Sequence, residues 1–174
     1  MRDVSRIQAA VRDVPDFPKL GIVFKDITPV LADGALFREV IDMFADSLAD
    51  SGVTKIVGID ARGFIFASAV AFELGVGFVP VRKKGKLPWK TRAAEYDLEY
   101  GSASVELHVD AVAAGEKVAL IDDVLATGGT AAAALRLLRE CGADVVSAQF
   151  LMELGFLNGR EKLGETPVDS ILIY

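Results

Sequence analysis

The chain has 174 residues, about half of them apolar, enough to bury a sizeable core within one domain. Its 19 basic and 25 acidic residues leave a net charge of -6, which argues against general attraction to nucleic acid or an anionic membrane and obliges any anionic substrate to find a local basic site. No apolar run approaches the roughly 20 residues that cross a bilayer, and Arg2, Asp3 and Arg6 interrupt any signal-like start, so no membrane partner and a cytoplasmic protein are expected.

The first distinctive stretch is Phe17 to Pro29, FPKLGIVFKDITP. Read by residue type alone, Phe24 beside Ile22 and Val23 is more readily a core aromatic than a ligand contact. From Ala35 to Ser51, Leu36, Phe37, Val40, Phe44 and Leu48 recur at helical spacing, and Gly52 ends the run. Lys55 to Ile59 is a short β-branched strand. A turn at Asp60 to Gly63, a helix ending at Gly75 and a strand around Phe78 to Val81 complete a βαβ unit.

Arg62 stands where that helix begins, and a cation at the positive end of a helix dipole is unfavourable. Either an anionic ligand or a neighbouring acid has to compensate it. The segment Arg82 to Glu95, RKKGKLPWKTRAAE, then places six basic residues against one acid in an acidic chain. It reads as a charged loop, with Arg82, Lys83 and Lys86 available to an anion or simply solvated. Tyr96 to Tyr100 and Ser104 to His108 alternate well enough for a hairpin about Gly101, which makes the insertion a flap. Within it, Glu99 alternates with Leu98 and Tyr100 and by itself reads as a solvent-facing strand residue.

A second unit follows, with a buried strand at Lys117 to Ile121, an alanine- and leucine-rich helix at Gly129 to Glu140 and a strand at Val145 to Met152. Cys141 cannot form an internal disulfide, being the single cysteine, and its place after this helix suggests packing. Strands alternating with helices predict an α/β fold with a doubly wound, mainly parallel sheet and flanking helices.

Two adjacent carboxylates, Asp122 and Asp123, at the end of a buried strand need an explanation beyond an ordinary turn. In an open parallel sheet, ligands bind beyond the carboxyl ends of the strands. Ala126, Thr127, Gly128, Gly129 and Thr130 then offer small residues and hydroxyls before a helix, the chemistry of a phosphate cradle. Carboxylates beside a phosphate require a group between them that donates hydrogen bonds. The hydroxyls of a ribose phosphate meet that need, while a helix cap is the simpler competing role for an aspartate here.

The run VALIDDVLATGGT, Val118 to Thr130, resembles the signature of the type I phosphoribosyltransferases, and FPKLGIVFKDITP resembles that of the adenine phosphoribosyltransferases. RKKGKLP, YDLEYG and MELGFLNGREKL follow in that family's order, so the resemblance covers nearly the whole chain. It implies a single domain over residues 1–174: a hood of residues 1–32 and 153–174, a core of 33–152 and a flap about 82–103. It also implies a sugar-phosphate site at Asp122, Asp123 and Ala126 to Thr130. A pyrophosphate site falls at Asp60, Ala61 and Arg62 with Arg82, Lys83 and Lys86, and the Asp60–Ala61 peptide is the one expected to be cis.

By the same resemblance Phe24 stacks on the base, backbone groups of Val23 and Lys25 read its edge, Leu154 covers its other face, and Glu99 handles its proton. Arg62 joins Glu99 as a catalytic group. Mg²⁺ arrives with 5-phosphoribosyl-1-pyrophosphate, and the family is usually homodimeric. Ala61, where many members carry serine, and Trp89 depart from the pattern. A related enzyme for another purine, or a sugar-phosphate-sensing regulator without activity, shares the sugar site; the hood favours adenine, and the acidic charge argues against a DNA-binding regulator.

Overall fold

A computed structural model describes residues 3–97 and 102–174. The chain begins with a short helix α1 (Ser5–Ala10), a two-stranded antiparallel hairpin of β1 (Arg12–Pro15) and β2 (Val23–Asp26), and a short helix α2 (Thr28–Ala32). Helix α3 (Gly34–Leu48) starts where the Asp33 carboxylate accepts the N–H groups of Ala35 and Leu36 at 2.9 and 3.1 Å. Its buried side, Leu36, Val40, Ile41, Phe44 and Leu48, has the spacing read from the sequence.

Then come β3 (Lys55–Ile59), α4 (Gly63–Leu74), β4 (Gly77–Lys83), β5 (Thr91–Asp97) and β6 (Ser102–His108). Left-handed Gly75, at φ +67°, closes α4. The last third is β7 (Lys117–Leu125), α5 (Gly129–Glu140), β8 (Asp144–Glu153), 3₁₀ turns at Gly155–Leu157 and Gly159–Leu163, and β9 (Val168–Ile173).

Seven strands form the main sheet in the order β5-β6-β4-β3-β7-β8-β9. The five from β4 to β9 are parallel, and β6 and β5 extend the sheet antiparallel from β4. Alternation along the strands feeds two cores. Ile56, Ala119, Ile121 and Leu151 face the layer of α3 and α4, whereas Val57, Ile59, Val118, Leu120, Ala148 and Phe150 pack with the buried side of α5. Cys141 packs at the border of the second core, and burial pushes its thiol up.

The sequence-based boundaries need four corrections. β7 does not stop at Ile121 but continues through Asp122 and Asp123 to Leu125, because β8 goes on pairing with it after β3 has ended. Much of the expected loop from Arg82 to Glu95 is strand, Arg82 and Lys83 ending β4 and Thr91 beginning β5. The N-terminal hairpin was not anticipated, and its exposed, four-residue strands give little periodicity. The segment 153–174 is only partly separate from the core, since β9 pairs with β8 as the edge of the main sheet.

Candidate active site

β3 and β7 are parallel neighbours, with Gly58 opposite Ile121, so the turns that follow them lie side by side at one edge of the sheet. Between the turns is an open cavity of about 390 Å³. Asp60, Ala61 and Arg62 line one wall; Asp122, Asp123 and Ala126 to Thr130 line the other, and Lys83 and Tyr96 reach it from β4 and β5. The cavity thus lies at the sheet edge where an α/β topology favours a ligand.

The second wall is made by backbone geometry. Gly128 caps α5 in a left-handed conformation, φ +78°, and no side chain caps the helix. The first-turn N–H groups therefore remain for a ligand, with the helix dipole favouring an anion. A side chain at Gly128 would also collide with the carbonyl of Gly159, which backs the loop from behind.

The carboxylates sit one strand residue apart in different surroundings. Asp122 is half-buried, its Oδ1 accepts the N–H of Asp123 at 2.9 Å, and Gly63 packs so closely that a Cβ there would strike the same oxygen. Burial first, and the neighbouring Asp123 charge second, push the Asp122 carboxyl well above the usual aspartate range. Asp123 is 5% exposed and lies 2.5 Å from Arg62 Nε. The acid that compensates Arg62 at the start of α4 is therefore Asp123, on the opposite turn.

Arg62 also joins the cavity to the N-terminal hairpin, its guanidinium carbon lying 5.5 Å from the centre of the Phe24 ring. Phe24 is half-buried and meets Phe17 edge to face at 5.3 Å. Val23 is exposed, while Lys25 Nζ lies 2.6 Å from Asp13 and 4.1 Å from the Tyr174 ring centre. Leu154 is held at the end of β7, donating its N–H to the Leu125 carbonyl at 2.9 Å. Val23, Phe24, Lys25 and Leu154 do not line the cavity between the turns; they stand beyond it, on the Arg62 side in the case of Phe24.

On the expected pyrophosphate side, the Asp60–Ala61 peptide is cis. Lys83 lines the cavity with this turn, but Arg82 and Lys86 do not. Arg82 turns instead to Asp60, with Nε 3.2 Å from Oδ2, and donates to the Lys86 carbonyl at 3.0 Å. An adjacent carboxylate and an open carbonyl satisfy its donors where an incoming anion was expected. Glu99 lies outside the described residues.

Sequence reasoning missed Glu106. This β6 carboxylate is buried and accepts the N–H groups of Lys86 and Leu87 at 3.0 and 2.9 Å and the Thr91 hydroxyl at 3.3 Å. Burial works to raise its carboxyl, but the backbone N–H groups of Leu87, Gly85 and Lys86 with the Thr91 hydroxyl outweigh it and hold the group below the usual range. The basic loop thus wraps an acid that pairs with its backbone. An acid between Val105 and Leu107 in a strand following so basic a loop was the available signal.

Residues 27–165 match the phosphoribosyl transferase domain family. The chain is 56% identical over 168 residues to an adenine phosphoribosyltransferase from Anaeromyxobacter sp. (strain Fw109-5), a match covering 97% of this chain and 95% of the relative. The crystal structure of adenine phosphoribosyltransferase from Thermoanaerobacter pseudethanolicus is similar at a TM-score of 0.96 and 48% identity, over 99% of this chain and 100% of that one. The Saccharomyces cerevisiae adenine phosphoribosyltransferase, solved with an imino-altritol bisphosphate and adenine, is similar at a TM-score of 0.91 and 43% identity, over 95% of this chain and 96% of that one. With these likenesses running through the sheet, both turns and the hairpin, the chain belongs to the phosphoribosyltransferase family, among the adenine phosphoribosyltransferases.

Proposed function

We infer that the cavity is where this chain transfers the 5-phosphoribosyl group from 5-phosphoribosyl-1-pyrophosphate to adenine, giving AMP and pyrophosphate in purine salvage. The observation that carries this reading is the pairing across one cavity of an aspartate pair and uncapped glycine loop with the Asp60–Arg62 turn. In it, the phosphate takes the N–H groups and hydroxyls of Ala126 to Thr130, and the ribose hydroxyls donate to Asp122 and Asp123. Asp60, Ala61, Arg62 and Lys83 receive the leaving diphosphate, with Arg82 and Lys86 recruited from their present partners.

In the transfer, a purine ring nitrogen bonds to the anomeric carbon as the bond to the diphosphate oxygen breaks. Positive charge develops on the sugar, and the adjacent carboxylates stabilise it. Phe24 and Leu154 hold the base between them, with the backbone of Val23 and Lys25 at its edge. Glu99 takes the proton the attacking nitrogen must lose. The basic loop and hairpin exclude water that would otherwise capture the sugar.

Mg²⁺ fits this donor set as a companion of the substrate. It is commonly held by one or two carboxylates together with phosphate oxygens. Among the described residues no cluster of three metal-binding side chains occurs, while Asp122 and Asp123 stand at the sugar wall. Bound with the diphosphate, Mg²⁺ would supply charge neutralisation for the leaving group. The same reading takes the molecule as a cytoplasmic homodimer. Ile65 and Phe72, exposed apolar residues one heptad apart on α4, support a covered face.

Turnover with 5-phosphoribosyl-1-pyrophosphate and each of adenine, hypoxanthine, guanine and xanthine, followed by chromatography of the nucleotides, tests the reading. Adenine should be preferred on the order of 100-fold or more in kcat/KM, since a pocket that pairs with one set of base-edge groups strands its own polar atoms against another. An equal or greater rate with an oxopurine would sink it.

A further inference from the structure

The sugar-phosphate loop is supported from behind by a segment whose own attachment is unusual. Residues 154–159 leave the end of β8, pass through the 3₁₀ turn Gly155–Leu157 and return to the loop at Gly159. The turn buries no side chain, and Phe156 and Leu157 are exposed, Phe156 at 72%. Apolar burial therefore does not hold it. Yet Gly159 is buried and packs so tightly against the phosphate loop that an added Cβ would collide with the Ala126 carbonyl and crowd the Gly128 nitrogen at 3.1 Å.

The start of the segment is tied by the N–H groups of Leu154 and Gly155 to the Leu125 and Tyr174 carbonyls, both at 2.9 Å, and its two ends are tied to each other by charge. Glu153, 5% exposed at the end of β8, receives Arg160 Nε at 2.8 Å from both carboxylate oxygens, and Arg160 Nη2 lies 2.7 Å from Oε2. Nη1 donates to the Val168 carbonyl at 2.7 Å, and the Ser170 hydroxyl donates to Glu153 Oε2 at 2.9 Å, so β9 fixes the pair from the far side. Glu153 is buried and the Arg160 side chain is 42% exposed, so the pair is weak support for stability, but a planar fork held at this many points fixes position.

We propose that Glu153 and Arg160 form a clamp that positions the sugar-phosphate loop: by closing the exposed turn they press the Gly159 backbone against Ala126 and Gly128. The clamp orients the loop's N–H groups toward the cavity without touching substrate. It also flanks Leu154, so a single ion pair sets both the phosphate wall and one side of the base site. Arg160 and Glu153 are positioning residues, and the inference rests on the sugar-phosphate reading of the loop.

The test is calorimetric binding of ribose 5-phosphate and, separately, of pyrophosphate to the intact chain and to Arg160→Lys, which keeps the charge but loses the fork. Ribose 5-phosphate should bind about tenfold more weakly to the variant while pyrophosphate binding stays within about twofold, because only one turn has lost its backing. Glu153→Gln, which keeps the side-chain shape but removes the charge that receives Arg160, should reproduce the selective loss and serves if the lysine variant does not fold. Unchanged ribose 5-phosphate affinity in a folded variant, or equal loss of both ligands, overturns the clamp alone. Failure of the unaltered chain to bind ribose 5-phosphate overturns the sugar-phosphate reading and the clamp with it.

Discussion

The turns after β3 and β7 occupy equivalent places on neighbouring parallel strands, yet they handle charge by opposite means. After β7, the donors are backbone N–H groups at a helix start with no side-chain cap, held by a left-handed glycine and a second glycine behind it. After β3, the helix starts at a charged arginine whose partner is an aspartate on the other turn. The first arrangement is ready for an anion as it stands. The second must exchange internal partners for a ligand, since Arg62 and Arg82 already face Asp123 and Asp60. One wall is therefore preorganised, and the other responds to what enters.

The largest effect should come from breaking the preorganised wall. Gly128→Ala places a side chain at φ +78° and against the Gly159 carbonyl. The backbone conformation alone costs about 1–3 kcal/mol. Displacement of the loop should add to that and lower kcat/KM for the sugar diphosphate on the order of 100-fold. Steady-state kinetics on folded protein would check this. A near-normal rate would mean that the glycine loop does not depend on its present shape, and the contrast between the walls would fail.

A smaller effect is expected where the two walls meet. Asp123→Asn removes the charge that compensates Arg62 and an acceptor at the sugar wall. Losing a hydrogen bond to a charged group costs about 1.5–3 kcal/mol, so a roughly 30-fold fall in kcat/KM is expected. Titrations with ribose 5-phosphate and with pyrophosphate sharpen the comparison. Ribose 5-phosphate should bind more weakly while pyrophosphate binds more tightly, because Asp123 serves one turn and competes with a ligand for Arg62 of the other. Unchanged pyrophosphate affinity would show that the walls act independently.

These differences also mark what could be read from the sequence. The α/β alternation was legible because Ile56 to Ile59 and Val118 to Ile121 are runs buried on both faces and because Gly75 ends its helix by a local rule. The shape of the TGGT loop was legible for the same reason: a left-handed Gly128 before α5 rests on local backbone freedom. Arg62 was suspect from its place on the helix, but the identity of its partner was not, since the contact joins turns brought together only by the pairing of β3 with β7. The extension of β7 through two carboxylates was likewise decided by a neighbour, β8. Glu106 and the Glu153–Arg160 pair act across strands, and strand periodicity does not reveal which loop a carboxylate will hold.

The smallest effect should have the opposite sign and lies in stability. Asp122 is half-buried beside Asp123 and under Gly63, and its carboxyl is raised by burial first and by the Asp123 charge second. The folded protein then binds this proton more tightly than the unfolded chain, so folding stability falls as the pH rises from the ordinary aspartate range toward the raised value, and the cost persists above it. Asp122→Asn removes the titration while keeping an acceptor oxygen for the Asp123 N–H. At neutral pH it should melt higher than the unaltered chain, about 1 kcal/mol corresponding to roughly 2–4 °C at this size. The gain should shrink as the pH falls and vanish below the ordinary aspartate range, where both forms are neutral. Thermal melts of the two proteins across that interval provide the measurement. A lower melting temperature for the asparagine variant at neutral pH, or a difference independent of pH, would show that the preorganised wall holds its aspartate without strain, leaving the contrast with the Arg62 turn to rest on geometry alone.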